Sequence, residues 1–495
     1  MIDTDTPRAW LASGLLDRVA MAARERLAHD PEDQEALSVL GQALLSLGQP
    51  AQGVAMLATL ARPDPDDEVA LIAGLRRLNL MQEVESRSAI RSTPVPSPAT
   101  TTSPEPGLWL DRGNRHLAEG ALDQAAADYR KALEGNPDFA PAHGNLANVL
   151  TMTGQLEDAH RHYRAALAAD PNNANIGFAY ALSLLLAGQA PEGWRWYEAR
   201  RRTPAMRWNY DRHADLPQWQ PGTDLTGRSV LVMAEQGRGD MIQHARYVPL
   251  LAARAAGVVL ELPADLHPLF AGMPGIRRLI DRDGPADDCD LACPLMSLPL
   301  ALDAVDTPPP PSVDVPVDAR AIWAAWLGDP DGRRRIGLVV SGDARHPHDA
   351  LRSIPLEAFR SILAYPAQWV LLQTELRDDD LATRDTLEGL RVPGAALVDF
   401  GDTAGLAANL NLVITVDTAV AHLAGSLGVP TWLLLAHAPD YRWMLNRSDT
   451  PWYPSMRLFR QPRPGDWPAV LDTVRRALDG SEGSDLTLDD GGARR

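Results

Sequence analysis

Lysine is almost absent from this chain of 495 residues: Lys131 is the only one among 47 basic side chains. Chemistry that needs a lysine amine, such as a Schiff base, is therefore excluded nearly everywhere. Cysteine is as scarce. Cys289 and Cys293 are too few for a disulfide scaffold and point to a reducing compartment. Their C-x3-C spacing has no second ligand pair nearby, so no structural zinc site is expected. Excess positive charge is missing too. With 47 basic and 65 acidic residues the formal net charge is −18, which suits neither nucleic acid nor an anionic membrane surface as partner. The longest apolar stretch, Leu410 to Ala438, carries Asp417 and His422 and is cut by glycine and proline. It reads as buried strand–helix–strand, and no membrane span is expected. Met1 to Trp10 holds Asp3 and Asp5 and no basic segment before an apolar core, so no secretion signal and a cytoplasmic location are expected.

What is present is ordinary globular composition, 45% hydrophobic and 23% charged, with length for two to four domains. The first half repeats. Pro31, Pro65, Pro137 and Pro171 are separated by 34, 72 and 34 residues, and 34 is the tetratricopeptide period. Aligned on Pro137, residues Trp109, Gly113, Gly120, Ala125, Tyr129 and Ala132 take the aromatic, small and turn positions of that repeat. Leu146, Ala147, Leu150, Gly154, Ala159, Tyr163 and Ala166 repeat the set, and Ala181, Gly188, Gly193 and Tyr197 continue it. An earlier copy runs through Leu40, Gly41, Leu44, Gly48, Gly53 and Leu57. Small residues let paired helices approach, glycine ends the first helix and proline stops the second. Each pair leaves an apolar face that only the next pair covers. Such an array offers a concave surface to a protein partner, or serves only for oligomerisation. The wide gap holds one more helix, near Glu68 to Arg87, and a Pro/Ser/Thr-rich linker from Arg91 to Gly107 about which the first block could pivot.

After Arg200 the pattern becomes strand, loop, helix, strand. Apolar runs at 227–234 and 258–262 bracket the loop Glu235-Gln-Gly-Arg-Gly-Asp240. A proline-rich break at 307–316 precedes a second series at 336–340, 369–373, 396–398, 412–416 and 431–435. This is the signature of two doubly wound parallel α/β domains, which bind ligands in a cleft at the carboxyl ends of their strands. Those ends carry the candidate residues. Gly237, Gly239 and Asp240 follow the first strand; the loop is neither a Walker nor a full dinucleotide motif, and Asp240 is either a general base or a helix cap. Ser341 and Gly342 end the run at 336–340 and Arg352 follows, a set of anion donors. Asp417 and Thr418 open a helix whose free amides favour phosphate, with His422 one turn on as ligand contact or core residue. His346 and His348 read as solvated loop. The segment Trp194-Arg-Trp-Tyr197 reads as packing between the repeats and the α/β half.

The motifs D-T-A-V-A-H-L-A-G-S-L-G-V-P (Asp417 to Pro430), A-E-Q-G-R-G-D (Ala234 to Asp240) and S-D-T-P-W-Y-P-S-M-R-L-F-R-Q (Ser448 to Gln461) resemble bacterial tetratricopeptide-containing glycosyltransferases, whose catalytic part is similar to the heptosyltransferases. The resemblance covers residues 108–478. It implies a GT-B architecture of two Rossmann-like domains and an inverting transfer from a nucleotide-sugar. It also implies Asp240 as base, with Gly237 and Gly239 shaping its loop. Ser341, Gly342, Arg352, Asp417, Thr418 and His422 would hold the donor diphosphate. Ala419 stands where the family motif has glycine, Arg352 where it has lysine, and Ile354 where it has tryptophan, so a heptose is not implied. No metal and no cofactor are expected. A protein acceptor gripped by the repeats is implied, with flagellin as the first candidate. A lipid-linked or lipopolysaccharide glycan as acceptor and a non-catalytic repeat scaffold are the other readings. The expected domains are a helical block 1–90, a linker 91–107, repeats 108–200, Rossmann-like domains 201–315 and 316–480, and a disordered tail 481–495.

Overall fold

A computed structural model describes residues 19, 21–23, 26–27, 33–46, 57 and 106–480, without 205, 305–306, 330 and 345–348. The expected linker (apart from residues 106–107), the helix near 68–87, the tail 481–495, and His346 and His348 lie outside the described residues. The chain divides into two compact units, Met1–Thr102 and Ser103–Arg495. In the first unit, helix α1 (Gln34–Ser46) buries Ala36, Val39, Leu40, Ala43 and Leu44 against Val19 and Ala23.

The second unit begins with three helix pairs: α2 (Pro106–Ala118) with α3 (Leu122–Gly135), α4 (Ala140–Met152) with α5 (Leu156–Ala169), and α6 (Ala174–Leu186) with α7 (Ala190–Tyr197). Gly120, Gly154 and Gly188 separate the helices of each pair at φ of 76–77°, a left-handed conformation that glycine adopts without a side-chain clash. The repeat core is Ala125, Tyr129, Leu146, Leu150, Ala159, Tyr163 and Tyr180, the positions that the period singles out plus one aromatic.

Two parallel sheets follow. The first holds β1 (Ser229–Met233), β2 (Gly257–Glu261), β3 (Ile276–Ile280) and β4 (Leu291–Pro294) in the order β3-β2-β1-β4. Helix α8 (Arg238–His244) leaves β1. After α9 (Val317–Leu327), the second sheet holds β5 (Arg334–Val339), β6 (Ala367–Leu371), β7 (Leu390–Arg391), β8 (Leu412–Val416), β9 (Thr431–Leu435) and β10 (Met456–Arg460) in the order β10-β9-β8-β5-β6-β7. Helix α10 (Ala419–Ser426) leaves β8, and α11 (Trp467–Leu478) closes the fold. Val230–Met233 and all of β8 are buried, as expected of strands covered on both faces. One expected strand is corrected. Residues 394–396 form a 3-10 turn after Pro393, and the strand of that region is β7, six residues earlier. β3, β4 and β10 were not read from the sequence; β3 and β10 carry arginines that break the apolar run. The chain is thus a helical repeat followed by two parallel α/β domains.

The last helix pair is built into the α/β half. Leu185, Leu186, Trp194 and Tyr197 share one core with Met296, Ala421, Leu433, Tyr441, Trp443, Trp452 and Tyr453. Burying an aromatic side chain contributes roughly 1.5–3 kcal/mol, so this junction is a strong one. Trp194 and Tyr197 act as the expected packing residues.

Candidate active site between the two sheets

In each sheet the strand order reverses once, between β1 and β4 and between β5 and β8. Loops leaving neighbouring strands at such a switch point diverge and leave a crevice. All the candidate residues lie on those loops or on the helices that directly follow them.

On the first domain, the loop after β1 turns at Gln236, a non-glycine residue with φ 61°. Gly237 then caps α8, and its N–H donates to Asp240 Oδ2 at 2.9 Å. Asp240 is therefore both a helix cap and a half-buried carboxylate at the crevice. Its other oxygen accepts from Arg442 of the second domain. Gly239 makes the closest approach: a Cβ there would stand 2.7 Å from His422 Cδ2 and 3.4 Å from Ala419 Cα. Only hydrogen fits between α8 and α10.

On the second domain, the loops after β5 and β8 meet. Arg352 Nη1 donates to the main-chain oxygen of Asp417 at 2.8 Å, and its Nε reaches Asp349 at 3.3 Å. Gly342 leaves the room that Arg352 occupies, since a Cβ there would collide with the guanidinium. The Gly342 N–H donates to Ser353 Oγ at 3.2 Å, and Ser341 Oγ accepts from Gln373 at 2.8 Å. Thr418 is the N-cap of α10 by backbone geometry, with no side-chain cap bond; the Ala421 N–H turns back to the Thr418 carbonyl at 3.0 Å, which leaves the amides of Ala419 and Val420 facing the crevice. Asp417 is one residue before the cap. Its carboxylate accepts from Trp443 Nε1 at 2.8 Å. Burial, reinforced by the charge of Asp440, pushes this carboxyl up to about 6 against the pull of Arg442. His422 is buried, stacked on Trp443 with ring centroids 5.4 Å apart, and its Nδ1 lies 3.0 Å from the Tyr453 hydroxyl. Burial, with Arg442, Arg246 and His244 nearby, lowers its basicity far below the usual value, so it is neutral near pH 7.

The structure thus brings Asp240, Gly239, Asp417 and His422 together through Arg442 and Trp443, and joins Arg352 to Asp417 from the other side. Arg442 is one residue that the sequence does not single out. It is buried, bonds Gln243 Oε1 at 2.8 Å and Asp440 at 2.8 Å, and lies over the Tyr441 ring. Arg246 was missed as well. It ties the linker carbonyl of Pro308 (3.0 Å) and that of Trp452 (3.1 Å) to the first domain. The available signal was an arginine between aromatics in the loop after β9, another strand end. At the repeat junction a cavity of about 460 Å³ is lined by Glu192, Arg195, Trp196, Glu198, Ala199 and Arg202.

Residues 116–181 match the tetratricopeptide repeat family model. A curated relative, Protein FlbA of Caulobacter vibrioides, is 26% identical over 297 residues, covering 54% of this chain. The chain spans about half (50%) the length of that relative. Among solved structures, a glycosyl transferase family 9 protein from Veillonella parvula is similar over 51% of this chain and 95% of its own, with 12% identity and a TM-score of 0.38. The E. coli ADP-heptose lps heptosyltransferase II is similar over 52% of this chain and 99% of its own, with 15% identity and a TM-score of 0.37. Likeness this distant assigns no activity. Among the described residues, no helix is long and apolar enough to cross a membrane.

Proposed function

We propose that this chain is an inverting glycosyltransferase. It moves a sugar from a nucleotide-sugar to a Ser or Thr hydroxyl of a protein acceptor held by the repeats, with flagellin the first acceptor to try. The observation that carries the reading is the meeting of α8 and α10. It brings the turn that carries Asp240 on one domain against the first turn of α10 on the other, and Arg352 is tied to the start of that same turn through the Asp417 carbonyl. A carboxylate at the crevice can take the proton of an acceptor hydroxyl as that oxygen attacks the anomeric carbon. The bond from that carbon to the donor phosphate breaks on the opposite face. In this reading Arg352, the first amides of α10 and the Ser341 hydroxyl stabilise the charge on the departing diphosphate. These groups meet the phosphate charge themselves, and the reading includes no metal. The motif resemblance at Ala234–Asp240 and Asp417–Pro430 supports the same roles.

The test begins with thermal-shift and calorimetric titration of UDP, GDP, ADP and CMP. One of them binds, and transfer from the corresponding sugar nucleotide persists in EDTA. A chain that binds none of the four is a scaffold, and the proposal falls. Turnover that EDTA abolishes and Mg²⁺ restores removes the metal-free step.

A further inference from the structure

Tyr129, Tyr163 and Tyr197 occupy one position of the repeat, 34 residues apart, and all three are buried. The first two spend their hydroxyls inside the array. Tyr129 donates to Asn114 Oδ1 at 2.9 Å and Tyr163 to Asn148 Oδ1 at 2.7 Å. These asparagines are also 34 apart, and the next position in that series is Leu182. The last repeat therefore has no asparagine for its tyrosine. The Tyr197 hydroxyl instead accepts from Gln236 Nε2 at 2.9 Å.

Gln236 is the left-handed residue that turns the loop between β1 and α8. A non-glycine residue holds such a conformation only where its surroundings fix it. Two ties from the end of the array do so. One is Tyr197. The other is buried Arg200, which donates to the neighbouring Glu235 at 2.7 and 3.0 Å, while Glu235 also accepts from Met296 N–H at 2.8 Å. The next residue, Gly237, supplies the N–H that orients Asp240.

We infer that the last repeat is part of the transfer machinery, with Tyr197 as a positioning residue that holds Asp240 through Gln236 and Gly237. This rests on the reading of Asp240 as base. It assigns the array a second role beside gripping an acceptor, and that role is carried by one side chain whose in-repeat partner has been replaced.

Tyr197→Phe removes the hydroxyl and keeps the ring against Trp194 and Phe178. Tyr163→Phe is the control, because it removes the equivalent hydroxyl one repeat earlier. Both are made in the full chain. Two quantities are read: amide exchange of peptides spanning residues 234–244, and nucleotide release from UDP-, GDP-, ADP- and CMP-sugars. In Tyr197→Phe, loop exchange rises and turnover falls, each about fivefold, the worth of one net hydrogen bond, while donor KM stays within twofold. Gln236→Leu gives the same pattern, and Tyr163→Phe changes neither quantity. An active chain in which Tyr197→Phe matches Tyr163→Phe in both measurements overturns the inference alone. So does a looser loop with unchanged turnover. An active wild type whose Asp240→Asn variant keeps full turnover overturns the reading of Asp240 first, and the inference with it.

Discussion

Gly239→Ala is a small change whose sign the structure decides. Glycine stands at the second position of α8, where helix propensity alone favours alanine by up to about 1 kcal/mol. Packing opposes this. The new Cβ would stand 2.7 Å from His422 Cδ2, 3.3 Å from its Nε2 and 3.4 Å from Ala419 Cα. Ordinary carbon contacts lie near ~3.5–4 Å, so roughly 1 Å must be found. His422 cannot supply it. Its ring is stacked on Trp443, set edge-on to Tyr453 at 5.7 Å and tied to the Tyr453 hydroxyl. Ala419 is backbone at a helix start. The two helices must therefore part. Overpacking of this kind costs about 1–3 kcal/mol, more than the propensity gain. A 1 Å displacement between base and donor site lowers turnover by about 10²-fold. The assay is a double-mutant cycle with His422→Ala, read by urea denaturation and by nucleotide release. In the His422→Ala background the ring is gone and Gly239→Ala loses most of its cost, a coupling of about 0.5–3 kcal/mol. Additive effects, or a Gly239→Ala variant as stable and active as the parent, would refute the contact between the two domains.

Arg352→Ala removes a guanidinium from the donor side and weakens the affinity of the bound nucleotide by about 1.5–3 kcal/mol, read by calorimetry; unchanged affinity counts against a phosphate at this place. Asp417→Asn tests the raised carboxyl. Its folded value of about 6 lies above the ordinary 3.8, so the folded chain holds an extra proton between those two values and loses stability as pH rises through that window. The asparagine variant is therefore more stable than the parent at pH 7, by about 1–3 kcal/mol, with a flatter profile between pH 4 and 6. Parallel denaturation profiles for the two proteins would contradict the assignment.

The repeats were legible because their signal is local and recurs. The small, aromatic and turn positions at 34-residue spacing are the ones that pack and turn in the structure. The parallel strands were legible where burial on both faces makes the sequence continuously apolar, as in β1, β5 and β8. Strands at or near a sheet edge were not. β3 and β10 mix arginine with apolar residues, and β7 has two residues. Within the site, the residues directly after strand ends could be picked out, because topology alone places them at the crevice. Their partners could not. Arg442 meets Asp240 across 202 positions of sequence, and Tyr197 meets Gln236 across 39, with no periodic pattern linking either pair. Asp417 shows the same limit. Its place near a helix start was visible, but its bond to Trp443 depends on how the loop after β9 folds back.

The central claim is that Asp240 takes the acceptor proton while the second domain holds the donor. The most direct measurement compares wild type and Asp240→Asn, in parallel, for nucleotide affinity and for turnover of the sugar nucleotide that binds. Asparagine keeps the acceptor atom for the Gly237 N–H and removes the base. The expected result is nucleotide affinity within about twofold and turnover lower by about 10²–10⁴. Turnover within threefold of wild type, at roughly equal affinity, would show that the base lies elsewhere.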